Sequence, residues 1–258
     1  MKIISYNVNG LRSAFSKGFC EWFEKEDPDI LCIQETKMQE DQVNKMYFEN
    51  LGYHQYWHMA EKKGYSGVGI LTKVKPEYFA NGLGFAKYDR EGRLIRLDYN
   101  DFTLVNSYFP SGSSGDERQA VKMEYLADIQ KYLDNLRQEK PNILICGDYN
   151  ICHKPIDINH PERHQKSSGF LPEERAWMDS FLKSGFIDTF RVFDNRSEQY
   201  SWWSYRANSR AKNLGWRIDY HMITPSLLSK LKNAGIMQEV IHSDHCPVWV
   251  EFELSQAE

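Results

Sequence analysis

Short apolar runs rich in β-branched residues recur along the chain between polar segments, a pattern that predicts β-strands. The predicted strands span residues 2–8, 29–34, 68–72, 94–99, 102–109, 142–146, 217–223 and 247–254. Only Asn100 and Asp101, two turn-forming residues, separate the runs 94–99 and 102–109. We therefore expect these two strands to form a hairpin.

Helical periodicity lies between several of these strands. Over residues 117–139 apolar side chains recur every three or four positions, which predicts an amphipathic helix. Shorter helices are predicted over residues 15–26 and 172–184, the second opened by Pro172 and two glutamates. This mixture favours an α/β (α+β) protein with two mixed sheets and helices outside them, and a doubly wound sheet fits the same pattern.

Length and composition bound the class of protein. No repeat or linker divides the 258 residues, so one domain spanning 1–258 is expected. Hydrophobic residues make up 41% and charged residues 26%, which excludes disordered, collagen-like and coiled-coil chains. The net charge of −4 by itself argues against a nucleic-acid partner, because domains that bind nucleic acid are usually basic. Aromatic residues are abundant at 14%.

Cysteine usage and the N-terminus bear on the compartment. The five cysteines are scattered and none has C-x-x-C spacing, so buried, reduced thiols are expected. The first ten residues do not resemble a secretory signal, and no apolar stretch approaches the length of a membrane span. We expect a soluble, intracellular protein.

Polar side chains lie within the apolar runs, directly after them, or just before the last of them. Taken singly, each has an ordinary explanation as a turn former, an exposed strand end or a loop histidine. As a set they combine carboxylates, carboxamides, a tyrosine and one Asp-His pair, and strand ends are where sheet proteins gather their active sites. Oxygen ligands of this kind suit Mg²⁺ or Mn²⁺ rather than zinc. The residues are Asn7, Asn9, Glu35, Tyr108, Asp148, Asn150, Asp219, Asp244 and His245.

Seven short motifs occur in a fixed order. They are NVNGLR at 7–12, QETK at 34–37, YSGVG at 65–69, NSYFP at 106–110, GDYN at 147–150, KNLGWRIDY at 212–220 and SDHCP at 243–247. Together they resemble the exonuclease III class of abasic-site (AP) endonucleases, within the DNase-I-like endonuclease/exonuclease/phosphatase superfamily. The resemblance covers nearly the whole chain.

The resemblance implies a four-layer αββα sandwich with the site at one edge of two packed sheets. It also implies hydrolysis of DNA 5′ to an abasic site, which leaves a 3′-hydroxyl and a 5′-deoxyribose phosphate. Accompanying 3′-phosphodiesterase and 3′–5′ exonuclease activities are expected. The implied cofactor is Mg²⁺, with Mn²⁺ as a substitute, and its implied ligands are Asn7, Glu35, Asp148, Asn150, Asp244 and His245.

The resemblance also assigns catalytic roles. Asp148 is expected to orient or deprotonate the attacking water, and Asn150 to hold that aspartate or the phosphate. His245, made more basic by Asp219, is expected to be cationic and to contact the phosphate, with Tyr108 as a second donor. Whether one metal or two is bound, and which group deprotonates water, stays open at this point.

A basic segment indicates DNA binding more directly. Residues 204–218 carry Arg206, Arg210, Lys212 and Arg217 but no acid. The interleaved Tyr205, Asn208 and Trp216 favour a loop that follows a DNA backbone over an ordinary solvated face. The resemblance adds a second contact surface, which comprises Arg12, Lys17, Lys63 and Tyr65.

An apolar pocket for a flipped-out baseless sugar is implied at Trp202, Trp216 and Ile218, although core packing would explain the two tryptophans equally well. Such a pocket selects by shape, and a lesion that is already unstacked costs less to extrude. Duplex DNA with abasic or 3′-blocked lesions is thus the expected partner of a monomeric protein that is cytoplasmic, nucleoid-associated and not membrane-bound.

Two segments depart from the family pattern. His160, His164 and Ser167 stand where asparagines often contact phosphate and sugar, which would make those contacts sensitive to pH. The loop 111–115 lacks an arginine that some members insert into the DNA groove, so weaker retention of nicked product and relatively greater exonuclease activity are expected.

Two other functions remain compatible with the same fold. One is a phosphodiesterase of the superfamily with a non-DNA substrate, which the 212–220 motif and the GFLPEER run at 169–175 disfavour. The other is a catalytically silent nucleic-acid-binding protein. The presence of Glu35, Asp148, Asn150, Asp219 and His245 argues against the silent protein.

Overall fold

Two six-stranded β-sheets dominate the computed structural model, which describes residues 1–253. The strands are β1 (Lys2–Asn7), β2 (Ile30–Gln34), β3 (His54–His58), β4 (Val68–Thr72), β5 (Tyr78–Asn81), β6 (Leu94–Asp98), β7 (Thr103–Tyr108), β8 (Ile143–Asp148), β9 (Ile187–Asp188), β10 (Trp202–Trp203), β11 (Gly215–Trp216), β12 (Asp219–Ile223), β13 (Leu231–Ile236) and β14 (Val248–Phe252). The helices are α1 (Leu11–Phe15), α2 (Phe19–Glu26), α3 (Lys45–Asn50), α4 (Ala86–Asp89), α5 (Asp116–Glu139), α6 (Pro172–Lys183) and α7 (Thr189–Phe193).

Strand order makes both sheets mixed. The first runs β13-β14-β1-β2-β4-β3 and the second β5-β6-β7-β8-β12-β9, with β10 and β11 as a separate ribbon. Only β1–β2 and β7–β8 are parallel pairs among these ladders. The predicted hairpin is confirmed as the antiparallel pair β6–β7.

Three apolar clusters define four layers. One contains residues from both sheets, such as Ile30 and Leu144, and fills the space between them. A second packs α1, α2 and α3 on the outer face of the first sheet, and a third packs α5 and α6 on the second. The expected αββα sandwich is confirmed, and the doubly wound alternative is wrong. Within residues 1–253, no helix combines the length and apolar character that crossing a bilayer requires.

The predicted elements are present, with shifted ends. The predicted helix 15–26 begins later, at Phe19, because Gly18 directly before it has a φ of +90° and lets the chain turn into α2, whereas Phe15 is the last residue of α1. The edge strands β3, β5 and β13 were not predicted, because they are partly exposed and lack a continuous apolar run. The last strand ends at Phe252, and the predicted end, Leu254, lies outside the described residues.

Candidate active site

Register places the polar strand ends at one edge of the sandwich. Tyr108 at the end of β7 pairs with Asp148 at the end of β8, since these two strands are parallel. Antiparallel β12 begins with Asp219 directly opposite Asp148. On the facing sheet, Asn7 ends β1 and Glu35 follows β2, which runs parallel to it. The topology thus gathers side chains that are far apart in sequence.

The closest grouping consists of Glu35, Asp148 and His245, whose ligand atoms all lie within 4.8 Å of one another. Asn7 lies between the two acids, because its Nδ2 donates to Glu35 Oε1 and to Asp148 Oδ2, both at 2.9 Å. Its Oδ1 accepts the backbone N–H of Asn9 at 3.0 Å. Asn7 therefore orients the carboxylates through its nitrogen, and its oxygen keeps one lone pair, so its role as a metal ligand stays a prediction.

Asp148 is fully enclosed and constrained. The backbone N–H of Asn150 donates to Oδ1 at 2.8 Å, and the side-chain Nδ2 of Asn150 donates to Oδ2 at 3.2 Å. Burial raises the pKa of Asp148 to about 8, with help from the carboxylates of Asp219 and Glu35 and against the lowering effect of His245. A carboxylate with this affinity for a proton is suited to general-base chemistry near neutral pH.

His245 and Asp219 form a buried couple. Nδ1 of His245 lies 2.9 Å from Asp219 Oδ2, which also accepts the Ser201 hydroxyl at 2.6 Å. Burial alone would lower the pKa of His245, but the neighbouring carboxylates, led by Asp219, raise it to about 10. The imidazole is therefore cationic at neutral pH, and its Nε2 lies 3.9 Å from Asp148 Oδ2.

Two cations behind and beside the acids were missed by sequence reasoning. Lys37 makes an ion pair with Glu35 Oε2 at 2.9 Å. Arg93 is buried, and its guanidinium lies 4.8 Å from the centre of the Tyr108 ring. Burial and the Glu35 carboxylate hold the pKa of Tyr108 well above its ordinary value, although Arg93 opposes this, so Tyr108 is a neutral hydrogen-bond donor. The QETK motif contained a signal for Lys37, but nothing near Arg93 in sequence indicated its position.

Strained backbone surrounds these side chains. Glu35, Lys37 and Asn150 have φ values of +52°, +51° and +53°, and Asn9 has +45°. Non-glycine residues rarely adopt the left-handed region, and they do so most often at functional sites where the surrounding structure enforces it. At each of these positions the strained backbone turns sharply after a strand and directs the side chain across the edge of the sandwich.

An aromatic cluster adjoins the acidic group, at the residues where the sequence predicts a pocket for the sugar. Trp202 and Trp216 meet edge to face with ring centres 5.8 Å apart, and the Trp202 and His245 rings lie 6.4 Å apart. Trp202 Nε1 donates to Asp244 Oδ2 at 3.0 Å. The tryptophans are only half-buried, unlike the residues beneath them, so they combine core packing with an exposed face. Four buried residues complete the cluster: Cys152, Ile158, Phe170 and Ile218. Among these four, only Ile218 was predicted.

The 160–167 segment lies at the rim of this pocket. His164 contacts Trp216 edge to face at 5.0 Å, and its Nδ1 lies 3.4 Å from Ser167 Oγ. Burial lowers the pKa of His164. His160 is exposed.

Both the sequence and the backbone fold of this chain are similar to those of characterised proteins. The sequence profile of the Endonuclease/Exonuclease/phosphatase family matches residues 4–245. The chain belongs to this family. It is 42% identical to a DNA-(apurinic or apyrimidinic site) endonuclease of Dictyostelium discoideum over 99% of this chain and 71% of the relative. It is 41% identical to an exodeoxyribonuclease of Bacillus subtilis over 96% of this chain and 98% of the relative.

Solved structures of family members superpose closely. A 3′-5′ exonuclease of Neisseria meningitidis matches with a TM-score of 0.91 and 26% identity, covering 98% of this chain and 100% of the other. An AP endonuclease of Archaeoglobus fulgidus matches with a TM-score of 0.89 and 29% identity over the same shares. The family resemblance drawn from the motifs is thereby confirmed.

Part of the second predicted DNA-contact surface adjoins the basic segment. Lys17, in the turn between α1 and α2, has its Nζ 5.9 Å from the centre of the Tyr205 ring in the basic segment. Arg12 is exposed on the preceding helix, α1. Arg206, Asn208 and Lys212 are exposed on the segment itself. Together these residues form one surface, which we call the basic surface.

Two arginines of the basic segment have other partners. Arg217 is 1% exposed and donates to Asp157 and Asp188 at 2.7 Å each, so the prediction that it follows a DNA backbone is wrong. Arg210 donates to the backbone carbonyls of Gln238, Val240 and Ser243, which makes it a support for that loop rather than an outward-facing cation.

Tyr65 is also more constrained than predicted. It is half-buried, and its hydroxyl accepts hydrogen bonds from Arg93 and Arg118, each at 3.1 Å. Its own hydroxyl hydrogen is not used in either bond, because both guanidinium groups are donors. Neighbouring Lys63 is exposed, as a DNA contact requires.

Proposed function

We propose that this protein is a divalent-metal-dependent DNA repair nuclease that hydrolyses the phosphodiester 5′ to an abasic site. The products are a 3′-hydroxyl and a 5′-deoxyribose phosphate, and 3′-phosphodiesterase and 3′–5′ exonuclease activities accompany the incision. The observation that carries this proposal is the contact between a hydrolytic centre and an aromatic pocket, since His245 belongs to the first and adjoins Trp202 of the second. The names of the relatives support the same chemistry.

The residues present fit a hard divalent cation. Glu35 and Asp148 supply carboxylate oxygens close together at the sheet edge, and Mg²⁺ favours such ligands, with Mn²⁺ as a substitute. A bound cation would offset negative charge on the phosphate and the nearby carboxylates. We assign the cation to Glu35 and Asp148 and not to His245, because a protonated imidazole has no lone pair to offer a metal. Asp244 stays a predicted ligand, and its carboxylate accepts hydrogen bonds from Asn9 and Trp202.

Asp148 takes the proton of the attacking water. Its hydrogen bonds from Asn7 and Asn150 fix its orientation towards the water. Oxygen from water bonds to phosphorus, the bond from phosphorus to the 3′ oxygen of the preceding nucleotide breaks, and solvent protonates the released oxygen to give the 3′-hydroxyl. The predicted catalytic role of Asn150 is therefore one of orientation.

His245 and Tyr108 donate to the non-bridging oxygens of the phosphate. Asp219 keeps the imidazole protonated and correctly turned through the bond to Nδ1. Charge that builds up on the phosphoryl oxygens is then met by preorganised donors, the largest single contribution in many hydrolases.

Selection of the lesion falls to the pocket. Trp202, Trp216 and Ile218 present apolar surface to a sugar, and no base needs to be accommodated. The basic surface and Tyr65 would hold the flanking phosphates, so double-stranded DNA is the proposed partner and a monomer the proposed active form. Local cation density governs this contact more than the net charge of the chain.

A single incision assay tests the proposal. A labelled duplex with one reduced abasic site is incubated with the protein in Mg²⁺, and in parallel with EDTA. The proposal predicts Mg²⁺-dependent cleavage 5′ to the lesion, with a 3′-hydroxyl that a DNA polymerase extends. Binding without cleavage would instead favour the catalytically silent alternative.

A further inference from the structure

A buried ion pair lies directly behind the site and takes no part in the chemistry above. Lys122 of α5 and Glu174 in the first turn of α6 are both fully buried, with Nζ 2.5 Å from Oε1. Glu174 belongs to the GFLPEER run, to which the proposed mechanism assigns no role. Removing two charges from water is costly, so a pair in this position calls for an explanation beyond stability.

Glu174 holds the segment that forms the floor of the aromatic pocket. Its Oε2 accepts the backbone N–H groups of Gly169 at 2.7 Å and Leu171 at 2.9 Å. These two residues flank Phe170, which is fully buried in the pocket cluster with Ile218. We call residues 169–171 the floor segment. Its position therefore depends on a carboxylate that is itself fixed by Lys122 and by Gln119.

The floor segment fits closely against the pocket wall. Gly169 has a φ of +96°, and a Cβ atom there would lie 2.8 Å from the Trp216 ring and 3.1 Å from the carbonyl oxygen of Asn150. A small displacement of the floor segment would therefore move the tryptophan that the sugar contacts.

The catalytic turn is less dependent on the pair. Lys122 Nζ donates to the carbonyl of Asn150 at 2.8 Å. Asn150 is also anchored to Asp148 through its backbone N–H at 2.8 Å and to the Phe109 carbonyl through Nδ2 at 3.0 Å. Loss of the ion pair should therefore disturb the pocket more than the hydrolytic centre.

We propose that Lys122 and Glu174 are positioning residues that set the shape of the lesion pocket, and thereby the preference for a baseless sugar over other phosphate substrates. This inference rests on the proposed function. It predicts that the pair matters where a sugar must enter the pocket. It should matter little for removal of a terminal 3′-phosphate, which has no sugar on its far side.

The test compares two activities of each variant. One is incision at a reduced abasic site, and the other is release of phosphate from a 3′-phosphorylated duplex. Glu174→Gln should lower kcat/KM for incision at least about tenfold, the scale on which misplaced binding groups act, and lower 3′-phosphate release less than about threefold. The double variant Lys122→Met/Glu174→Leu, which keeps the site packed without charge, should change the ratio of the two activities in the same way.

Two controls separate positioning from stability. Glu173→Gln makes the same chemical change at the exposed neighbouring residue. Leu133→Ala destabilises α5 through the core without contacting the floor segment. Both should leave the ratio of the two activities unchanged.

The outcomes are distinct. An equal loss of both activities in Glu174→Gln, or a ratio that also changes in Leu133→Ala, would overturn the positioning role. An unchanged ratio in a correctly folded double variant would overturn it as well. Wild-type protein that releases 3′-phosphate but incises no abasic site would contradict the proposed function itself, and the inference with it.

Discussion

Two groups of buried charged residues are neighbours in the molecule. Arg217 belongs to one group, and Asp219, two residues later in the chain, belongs to the other. In the first, Arg217 bonds Asp157 and Asp188, and Arg191 bonds Asp157 at 2.5 Å, so two guanidinium groups face two carboxylates. We call these four residues the structural charge cluster.

The second group is unbalanced. Four carboxylates share the catalytic edge with Lys37 and the protonated His245, since nearby Arg93 is paired with Glu91. We call it the catalytic charge cluster; its members are Glu35, Lys37, Asp148, Asp219, Asp244 and His245.

The pKa values of the aspartates show what the difference means. Burial would raise the pKa of Asp157, but Arg217 and Arg191 lower it to about 2. Burial raises the pKa of Asp148 to about 8, and His245 does not fully offset the surrounding acids. Balanced buried charge holds the fold together. Surplus carboxylate marks the place where a cation and proton transfer belong.

The largest expected effect is at Asp148. Asp148→Asn removes the proposed base and should lower the single-turnover incision rate at least about a hundredfold. The same change removes a buried carboxylate from a repulsive group, so the free energy of unfolding should not fall. Single-turnover kinetics and denaturant unfolding check the two halves. A large loss of stability would place Asp148 with the structural cluster.

A loss of similar size is expected for His245→Ala, at least about a hundredfold in rate, because the cationic donor to the phosphate is lost. Asp219→Asn should reproduce part of this loss, since it lowers the basicity of His245 without removing the ring. Comparison of their pH–rate profiles checks this. A His245→Ala enzyme with nearly normal turnover would contradict the assignment.

The opposite behaviour is expected in the structural cluster. Asp157→Asn leaves Arg217 and Arg191 without their shared carboxylate and should cost about 3 kcal/mol in unfolding free energy. The incision rate per folded molecule should stay within about twofold of the wild type. Urea unfolding measures the change in stability, and incision assays at urea concentrations below the unfolding transition measure the rate. A hundredfold loss of rate in stably folded protein would contradict the distinction between the two clusters.

Acidic pH should reveal how much the same cluster contributes to stability. The pKa of Asp157 lies at about 2 when folded, below its ordinary value of 3.8, so its stabilisation is present above pH 4 and is lost as pH falls towards 2. The contribution is roughly 2 kcal/mol. Unfolding free energies measured at several acid pH values should therefore fall less steeply in Asp157→Asn. Parallel pH curves for the two proteins would contradict the linkage.

The smallest effect is expected away from both clusters. Ser113 and Ser114 are exposed in the loop that lacks a family arginine. Ser113→Arg should slow release of nicked product by a few-fold, because it adds a cation beside the DNA, and should reduce exonuclease activity relative to incision. Burst kinetics measure this. Unchanged release of nicked product in both Ser113→Arg and Ser114→Arg would contradict the role assigned to the missing arginine.

The catalytic edge could be predicted because its signal is local. Asn7, Glu35 and Asp148 end or directly follow apolar runs whose strands belong to parallel pairs, and Asp219 starts a run whose strand is antiparallel, so all of them reach one edge. The layers were predictable for the same reason, whereas the edge strands β3, β5 and β13 carried too little apolar pattern.

The errors concern charges whose partners are remote in sequence. Arg217 lies 60 residues from Asp157, so its basic neighbours suggested exposure although its real environment is buried. Glu174 lies 52 residues from Lys122, and charged residues are seldom fully buried. The amino-acid composition of a segment is the same whether its arginine faces DNA or neutralises an acid that is remote in sequence.

Binding of Mg²⁺ to the free protein tests the central claim most directly. Calorimetric titration should give a binding isotherm for wild type and for Asp157→Asn, and a strongly weakened one for Glu35→Gln. Of the two clusters, the catalytic one has the surplus carboxylate that a cation requires. Equal Mg²⁺ affinity in wild type and Glu35→Gln would contradict the assignment of this cluster as the metal-dependent hydrolytic centre.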